Sequence, residues 1–184
     1  FSPRRHRLPD GTHLSFLDEG PRAPTAVVMV HGNPTWSYYY RHLVSSLAAA
    51  RRCVVPDHVG MGLSDKPEHR AYTLAQRIDD LEDLITALGL EQIDLVVHDW
   101  GGAIGVGYAS KPEVRGRLLR LAAFNTAAFH MPGDKRLPPT LKLGRDSKLG
   151  QLLIQGLNAF SGLATRWAVV KPMPKALRDA YTAP

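Results

Sequence analysis

The stretch Leu95-Val96-Val97-His98-Asp99-Trp100-Gly101-Gly102 constrains this chain more than any other, because it drives an apolar strand straight into a helix through a sharp turn. Small residues flank the turn, so one side chain, that of Asp99, is expected to stand exposed at the helix N-terminus. A carboxylate there is held by the helix dipole and by free backbone N–H groups, which keep it ionised and able to attack carbon. Asp is also an ordinary helix N-cap, and the motif by itself leaves that blander reading open.

Around this stretch, short apolar runs alternate with longer amphipathic ones, the pattern of an α/β chain with a doubly wound, mostly parallel sheet. Strands are expected near 12–18, 25–31, 52–56, 92–98 and 118–124. Helices are expected over Trp36 to Ala50, over Thr73 to Leu88, and from just after Asp99 to about Ser110. In the second of these, Leu74, Ile78, Leu81, Leu84, Ile85 and Leu88 recur at helical spacing and Gly89 ends the element. Beyond Asn125 the texture changes, with Pro132, Pro138 and Pro139 and then Gly144, Gly150, Gly156 and Gly162 interrupting amphipathic pieces. A core over 1–127 followed by an inserted helical cap segment over 128–184 is expected. Because the sequence stops inside that insert with no strand after it, the sheet would keep an open edge, and a fragment of a longer protein is expected.

With 44% hydrophobic and 22% charged residues the composition is that of a globular domain and excludes a disordered chain. The longest apolar candidates, Ala26 to Val30 and Ile93 to Val97, are strand-sized, far short of the ~20 residues that span a bilayer. No secretory leader is visible in Phe1 to Asp10, and the single cysteine, Cys53, allows no internal disulfide, so a cytoplasmic, reducing setting is expected. Residues 111–184 carry 13 Lys and Arg against 4 Asp and Glu, whereas 1–110 carry 10 against 13. That basic half has neither a nucleic-acid motif nor interleaved aromatics, so no nucleic-acid partner is expected. No cofactor or metal site is expected either.

Two further motifs follow strands. His31-Gly32-Asn33-Pro34-Thr35-Trp36 comes directly after Ala26 to Val30, and Asp57-His58-Val59-Gly60-Met61-Gly62-Leu63-Ser64-Asp65-Lys66-Pro67 comes after the strand ending at Pro56. Asn33 and Trp100 each offer a backbone N–H and a side-chain donor, the amide and the indole, to a departing anion. Separately, Asn33 reads as a turn residue before proline and Trp100 as a packing aromatic. Asp57 and Asp65 read as loop braces, and His31, His58 and His98 as scaffold histidines.

In this order and spacing the three blocks resemble the haloalkane dehalogenase group of the α/β-hydrolases over about residues 10–125. The insert adds Phe124-Asn125-Thr126-Ala127-Ala128-Phe129 and Gly156-Leu157-Asn158-Ala159-Phe160, which together with Trp36-Ser37-Tyr38-Tyr39-Tyr40-Arg41 resemble the β-lactone decarboxylases of bacterial long-chain olefin biosynthesis. The resemblance implies an α/β-hydrolase fold with a helical cap, Asp99 as nucleophile, and Asn33 and Trp100 as stabilisers of the leaving group. It implies decarboxylation of a cis-3,4-dialkyl-oxetan-2-one to a cis-alkene and CO₂, or alternatively hydrolysis of a carbon–halogen bond through an Asp alkyl-enzyme ester. Either way the substrate is a small hydrophobic molecule, and Leu152, Leu157, Phe160 and Trp167 are expected to line its pocket. The decarboxylase reading also leaves room for a complex with other olefin-biosynthesis enzymes. One departure stands out: some dehalogenases carry their catalytic acid just after the strand that here ends at Phe124, where this chain has Asn125. The acid of the family's other arrangement, and its His base, are expected beyond Pro184.

Overall fold

The computed structural model describes residues 1–128, 147, 150, 152, 159–167 and 169–184. The chain divides into two compact units, Phe1–Ala128 and Phe129–Pro184.

The first unit is built on a six-stranded sheet of β1 (Arg4–Arg7), β2 (His13–Glu19), β3 (Thr25–Val30), β4 (Arg52–Pro56), β5 (Gln92–His98) and β6 (Leu118–Phe124), in the order β1-β2-β4-β3-β5-β6. β4, β3, β5 and β6 pair in parallel, and β1 and β2 add an antiparallel edge. The helices are α1 (Arg41–Leu47), α2 (Leu74–Ala87) and α3 (Trp100–Ala109). Parallel strands need crossovers, and α2 and α3 supply two of them on one face while α1 covers the other. The period of two in β3 serves both faces. Val28 and Val30 pack in one core cluster with Leu81, Leu84, Ile85, Ile93, Leu95, Val97, Ile104 and Tyr108, and Val27 and Met29 in another with Tyr40, Val44, Cys53 and Val55. A Leu or Ile as sealed as Leu84 or Ile85 contributes roughly 1.5–3 kcal/mol.

Local signals set the limits of α2. Thr73 is the N-cap, its hydroxyl oxygen accepting from the Gln76 N–H at 3.3 Å. At the other end Gly89, at φ +61°, takes the left-handed position, and Gly89 and Leu90 donate to the Thr86 and Ile85 carbonyls at 3.0 and 3.1 Å. This is the paired-bond C-terminal stop that glycine permits.

Two elements differ from expectation. β1, Arg-Arg-His-Arg, carries no apolar alternation, yet it pairs with β2 in the register Arg4 to Phe16 through Arg7 to His13. Its side chains find carboxylates: His6 is 2.6 Å from Asp83, and Arg5 bonds Asp65. Charged side chains suit an edge strand, because they discourage pairing with another chain. The expected helix from Trp36 to Ala50 is instead a 3₁₀ turn over Ser37–Tyr40 followed by the seven residues of α1. Neither segment begins with a side-chain cap, and Trp36 is extended.

Where the sheet turns antiparallel it encloses an ion pair. The buried Asp18 carboxylate accepts Arg52 Nε at 2.9 Å and Nη2 at 3.1 Å, and also bonds Arg22. Burial pushes the Asp18 carboxyl up, and the Arg52 and Arg22 guanidinium groups outweigh it, leaving a net downward displacement.

In the second unit α4 (Ala159–Trp167) and α5 (Lys175–Thr182) are helical. Leu152 and Trp167 are exposed and Phe160 is half-buried; Leu157 lies outside the described residues.

Candidate active site

β5 ends at His98 and α3 begins at Trp100, so the whole change of direction falls on Asp99. Its backbone is at φ +51°, ψ −126°, a region that side-chain-bearing residues rarely occupy and that stores of order 1–3 kcal/mol. The sequence makes this bearable by removing side chains around it. A Cβ on Gly32 would overlap the Asp99 carboxylate, one on Gly101 the Val30 carbonyl oxygen, and one on Gly102 the Thr126 hydroxyl. Thr126 Oγ1 donates to the Asp99 carbonyl at 2.5 Å, and Gly102 N–H donates to the same oxygen at 2.9 Å.

The Asp99 side chain makes no capping bond to its own helix. It reaches across to the loop after β3, where Oδ2 accepts the main-chain N–H of Asn33 at 2.8 Å. Asp99 and Asn33 are therefore brought together, through the Asn33 backbone. Trp100 stands beside them, 56% exposed. Asn33 and Trp100 also line a cleft of about 270 Å³ with Gly32, His58, Met61, Tyr72, Leu74, Arg77 and Ile104.

Beneath the loop two histidines lock together. The Nε2 of His31 accepts the His58 backbone N–H at 3.1 Å, so its Nδ1 carries the hydrogen and donates to the Gly32 carbonyl at 2.8 Å. The His58 Nε2 donates to the His31 carbonyl at 2.9 Å, with the two rings 4.3 Å apart. Both rings are buried, and burial is the main cause that holds them below the ordinary histidine range, His58 well below it. The bond accepted by His31 Nε2 requires a neutral His31 ring, and burial keeps His58 neutral beside it. The unfolded chain takes up protons as pH falls below its histidine pKa near 6.5, before the folded chain does. Stability should therefore be full above about pH 7 and decline from pH 6.5 downward. Urea midpoints between pH 7.5 and 5 should show this decline, and a His58→Gln variant should flatten it; a midpoint indifferent to pH over that window would remove the neutral pair.

Asp57 and Asp65 act as the braces expected of them. Asp57 accepts the Ser37 N–H at 2.6 Å and the Leu63 N–H at 3.0 Å, tying two loops beside the site. Asp65 accepts the His13 N–H at 2.9 Å. The third scaffold histidine, His98, stacks on Tyr39 at 4.5 Å. Arg77 and Tyr72, which close the cleft, were not singled out by motif. No motif or spacing marks Arg77 out from the other arginines of the chain; its place in the cleft does. Among the described residues no group of three or more His, Cys, Asp or Glu side chains is placed to hold a metal ion, and no helix is long and apolar enough to cross a membrane.

A family model for the alpha/beta hydrolase fold matches residues 25–168. A cis-3-alkyl-4-alkyloxetan-2-one decarboxylase of Shewanella oneidensis is 52% identical over 98% of this chain and 57% of its own length. A haloalkane dehalogenase of Psychrobacter cryohalolentis is 36% identical over 93% of this chain and 54% of its own. Among solved structures, a haloalkane dehalogenase of Bradyrhizobium elkani superposes with a TM-score of 0.83 at 28% identity, covering all of this chain and 63% of that one. The chain thus spans less than two thirds of the length of these relatives.

Proposed function

This chain belongs to the alpha/beta hydrolase fold family, and from that premise we propose that the protein containing it decarboxylates cis-β-lactones bearing two alkyl chains, with Asp99 as nucleophile. The observation that carries the reading is a carboxylate, in place of a hydroxyl, on the strained turn between β5 and α3, facing the Asn33 N–H. Support for lactone over haloalkane comes from the greater likeness to a relative named for oxetanone decarboxylation than to one named for dehalogenation.

The reaction divides into a displacement and an elimination. An Asp99 oxygen attacks the ring carbon that bears the ring oxygen; that carbon–oxygen bond breaks with inversion, and the ring carboxylate is released while still attached through its own carbon. The carbon–carboxylate bond then breaks, its electrons form the double bond, and the Asp99 ester oxygen leaves with the pair that joined it to carbon. CO₂ and the alkene depart, Asp99 is regenerated as a carboxylate, and no water or proton is consumed. Inversion followed by anti elimination keeps the two alkyl groups on one side, so a cis lactone gives a cis alkene. Asn33 and Trp100 would hold the carboxylate as it forms. The alkyl chains would be met by apolar groups of the second unit, for which Leu152, Leu157, Phe160 and Trp167 are proposed.

The full-length protein, supplied with a long-chain cis-β-lactone in ¹⁸O-labelled water, should release cis-alkene and CO₂ with no label entering Asp99 over many turnovers. Hydrolysis of an alkyl ester would place label there. Halide release from 1-haloalkanes together with inertness toward the lactone would replace this function with dehalogenation.

A further inference from the structure

The cleft that shares Asn33 and Trp100 with the candidate site also contains a cation without an anion. Arg77, the fourth residue of α2, lines this cleft. Its Nη1 donates to the Val59 carbonyl at 3.2 Å, and its guanidinium stands 5.9 Å from the Tyr72 ring centroid. Neither partner carries a charge, and among the described residues no carboxylate lies within ion-pair distance. Asp80, the acid whose charge acts on Arg77 most, is hydrogen-bonded to Arg70 at 2.6 Å. The Tyr72 hydroxyl is likewise committed, donating to the Pro67 carbonyl at 2.6 Å.

A half-buried guanidinium that lines a cleft, with no carboxylate in ion-pair contact among the described residues, is an arrangement that a bound anion would balance. We propose that Arg77 makes this cleft a carboxylate-binding site, selecting a carboxylate with alkyl substituents such as the one released when the β-lactone ring opens. The identity of that ligand rests on the decarboxylase reading above. The preference for a carboxylate over a halide follows from geometry: a planar guanidinium fork matches two oxygens at once, whereas a spherical ion needs only point donors such as those of Asn33 and Trp100. A tyrosine beside the fork adds a ring face without competing for the anion.

The test uses the full-length protein with Asp99→Asn, which removes turnover and the repulsion of the resident carboxylate. The probes are the hydrolysed lactone, a 2-alkyl-3-hydroxyalkanoate, its methyl ester and sodium iodide, with binding read by tryptophan fluorescence because Trp100 lines the cleft. The acid should bind about tenfold or more tightly than its ester. Arg77→Met should abolish that preference, Arg77→Lys should keep only part of it, and iodide affinity should change little. Equal affinity for acid and ester overturns the proposal, as does a preference that survives Arg77→Met. If Arg77→Met fails to fold, the Lys variant decides alone: undiminished preference with the point charge overturns the bidentate site. Lactone turnover is measured separately, so a protein that binds the acid but does not convert the lactone would refute the function and keep the site.

Discussion

Asp99→Ala in the full-length protein should lower turnover of the cis-β-lactone by on the order of 10⁴-fold or more. The proposed mechanism forms its only covalent bond at this carboxylate, and no neighbour can replace it. His98 is stacked on Tyr39, and Trp100 offers an indole, which cannot displace a carboxylate from carbon. The strained backbone supplies a second readout. Alanine retains the penalty of the positive φ and glycine escapes it, so Asp99→Gly should be more stable than Asp99→Ala by about 1 kcal/mol or more while being equally inactive. Denaturant midpoints of the two variants, taken beside their rates, check both statements. Residual alkene formation within tenfold of the parent would move the nucleophile elsewhere.

Gly101→Ala should be a severely damaging change in the first unit, lowering stability by about 3 kcal/mol or more. The new Cβ would overlap the Val30 carbonyl oxygen and come within 2.8 Å of the His31 carbonyl oxygen. Both are backbone atoms at the end of a central strand, so no rotamer change relieves the clash. α3 holds four glycines in ten residues, Trp-Gly-Gly-Ala-Ile-Gly-Val-Gly-Tyr-Ala, and each weakens a helix by about 1 kcal/mol relative to alanine. Close packing compensates: Gly105 receives Val97 and Leu95 of the sheet, and Gly107 receives Ile78 of α2. Gly162→Ala in α4 is the matched control. A Cβ there meets nothing among the described residues, and a gain of about 0.5–1 kcal/mol is expected from helix propensity. Thermal or urea unfolding of both variants should give opposite signs. An unchanged midpoint for Gly101→Ala would mean that α3 can shift away from β3.

Five strands were visible in the sequence: β2, β3, β4, β5 and β6 stand within a residue of 12–18, 25–31, 52–56, 92–98 and 118–124, because short apolar runs mark them even where, as in β6, one edge is left exposed. β1 left no such trace, since an edge strand of Arg and His is defined by its partner β2 and by Asp83 and Asp65 across from it. The break between the 3₁₀ turn and α1 was equally hidden, because Trp36 to Ala50 has helical spacing throughout and the limit is set by packing of Tyr40 and Val44 under the sheet. At the site, the meeting of Asp99 with the His31-Gly32-Asn33 loop was legible, for motif spacing reports which loops follow neighbouring parallel strands. The sequence offered both the Asn33 backbone N–H and its amide, and it is the backbone that meets Asp99; the interlock of His31 with His58 was not legible, because main-chain hydrogens leave no mark on residue identity. Arg77 was lost among surface charges; only the three-dimensional neighbourhood distinguishes it from the many arginines of a basic chain.

The bond from the Asn33 N–H to Asp99 has one more consequence. In the resting protein that hydrogen serves an oxygen of the proposed nucleophile. In the proposed reaction, esterification removes that oxygen's charge and its hold on the donor falls. At the same moment a new carboxylate would appear on the substrate. A single hydrogen can therefore be handed from one anion to the next, so that charge is quieted before and after attack by the same group. When CO₂ leaves and Asp99 is restored, the hydrogen returns to it. The loop after β3 need not move during the cycle, which gives the neutral histidine pair beneath it a purpose: it keeps the receiving hand still.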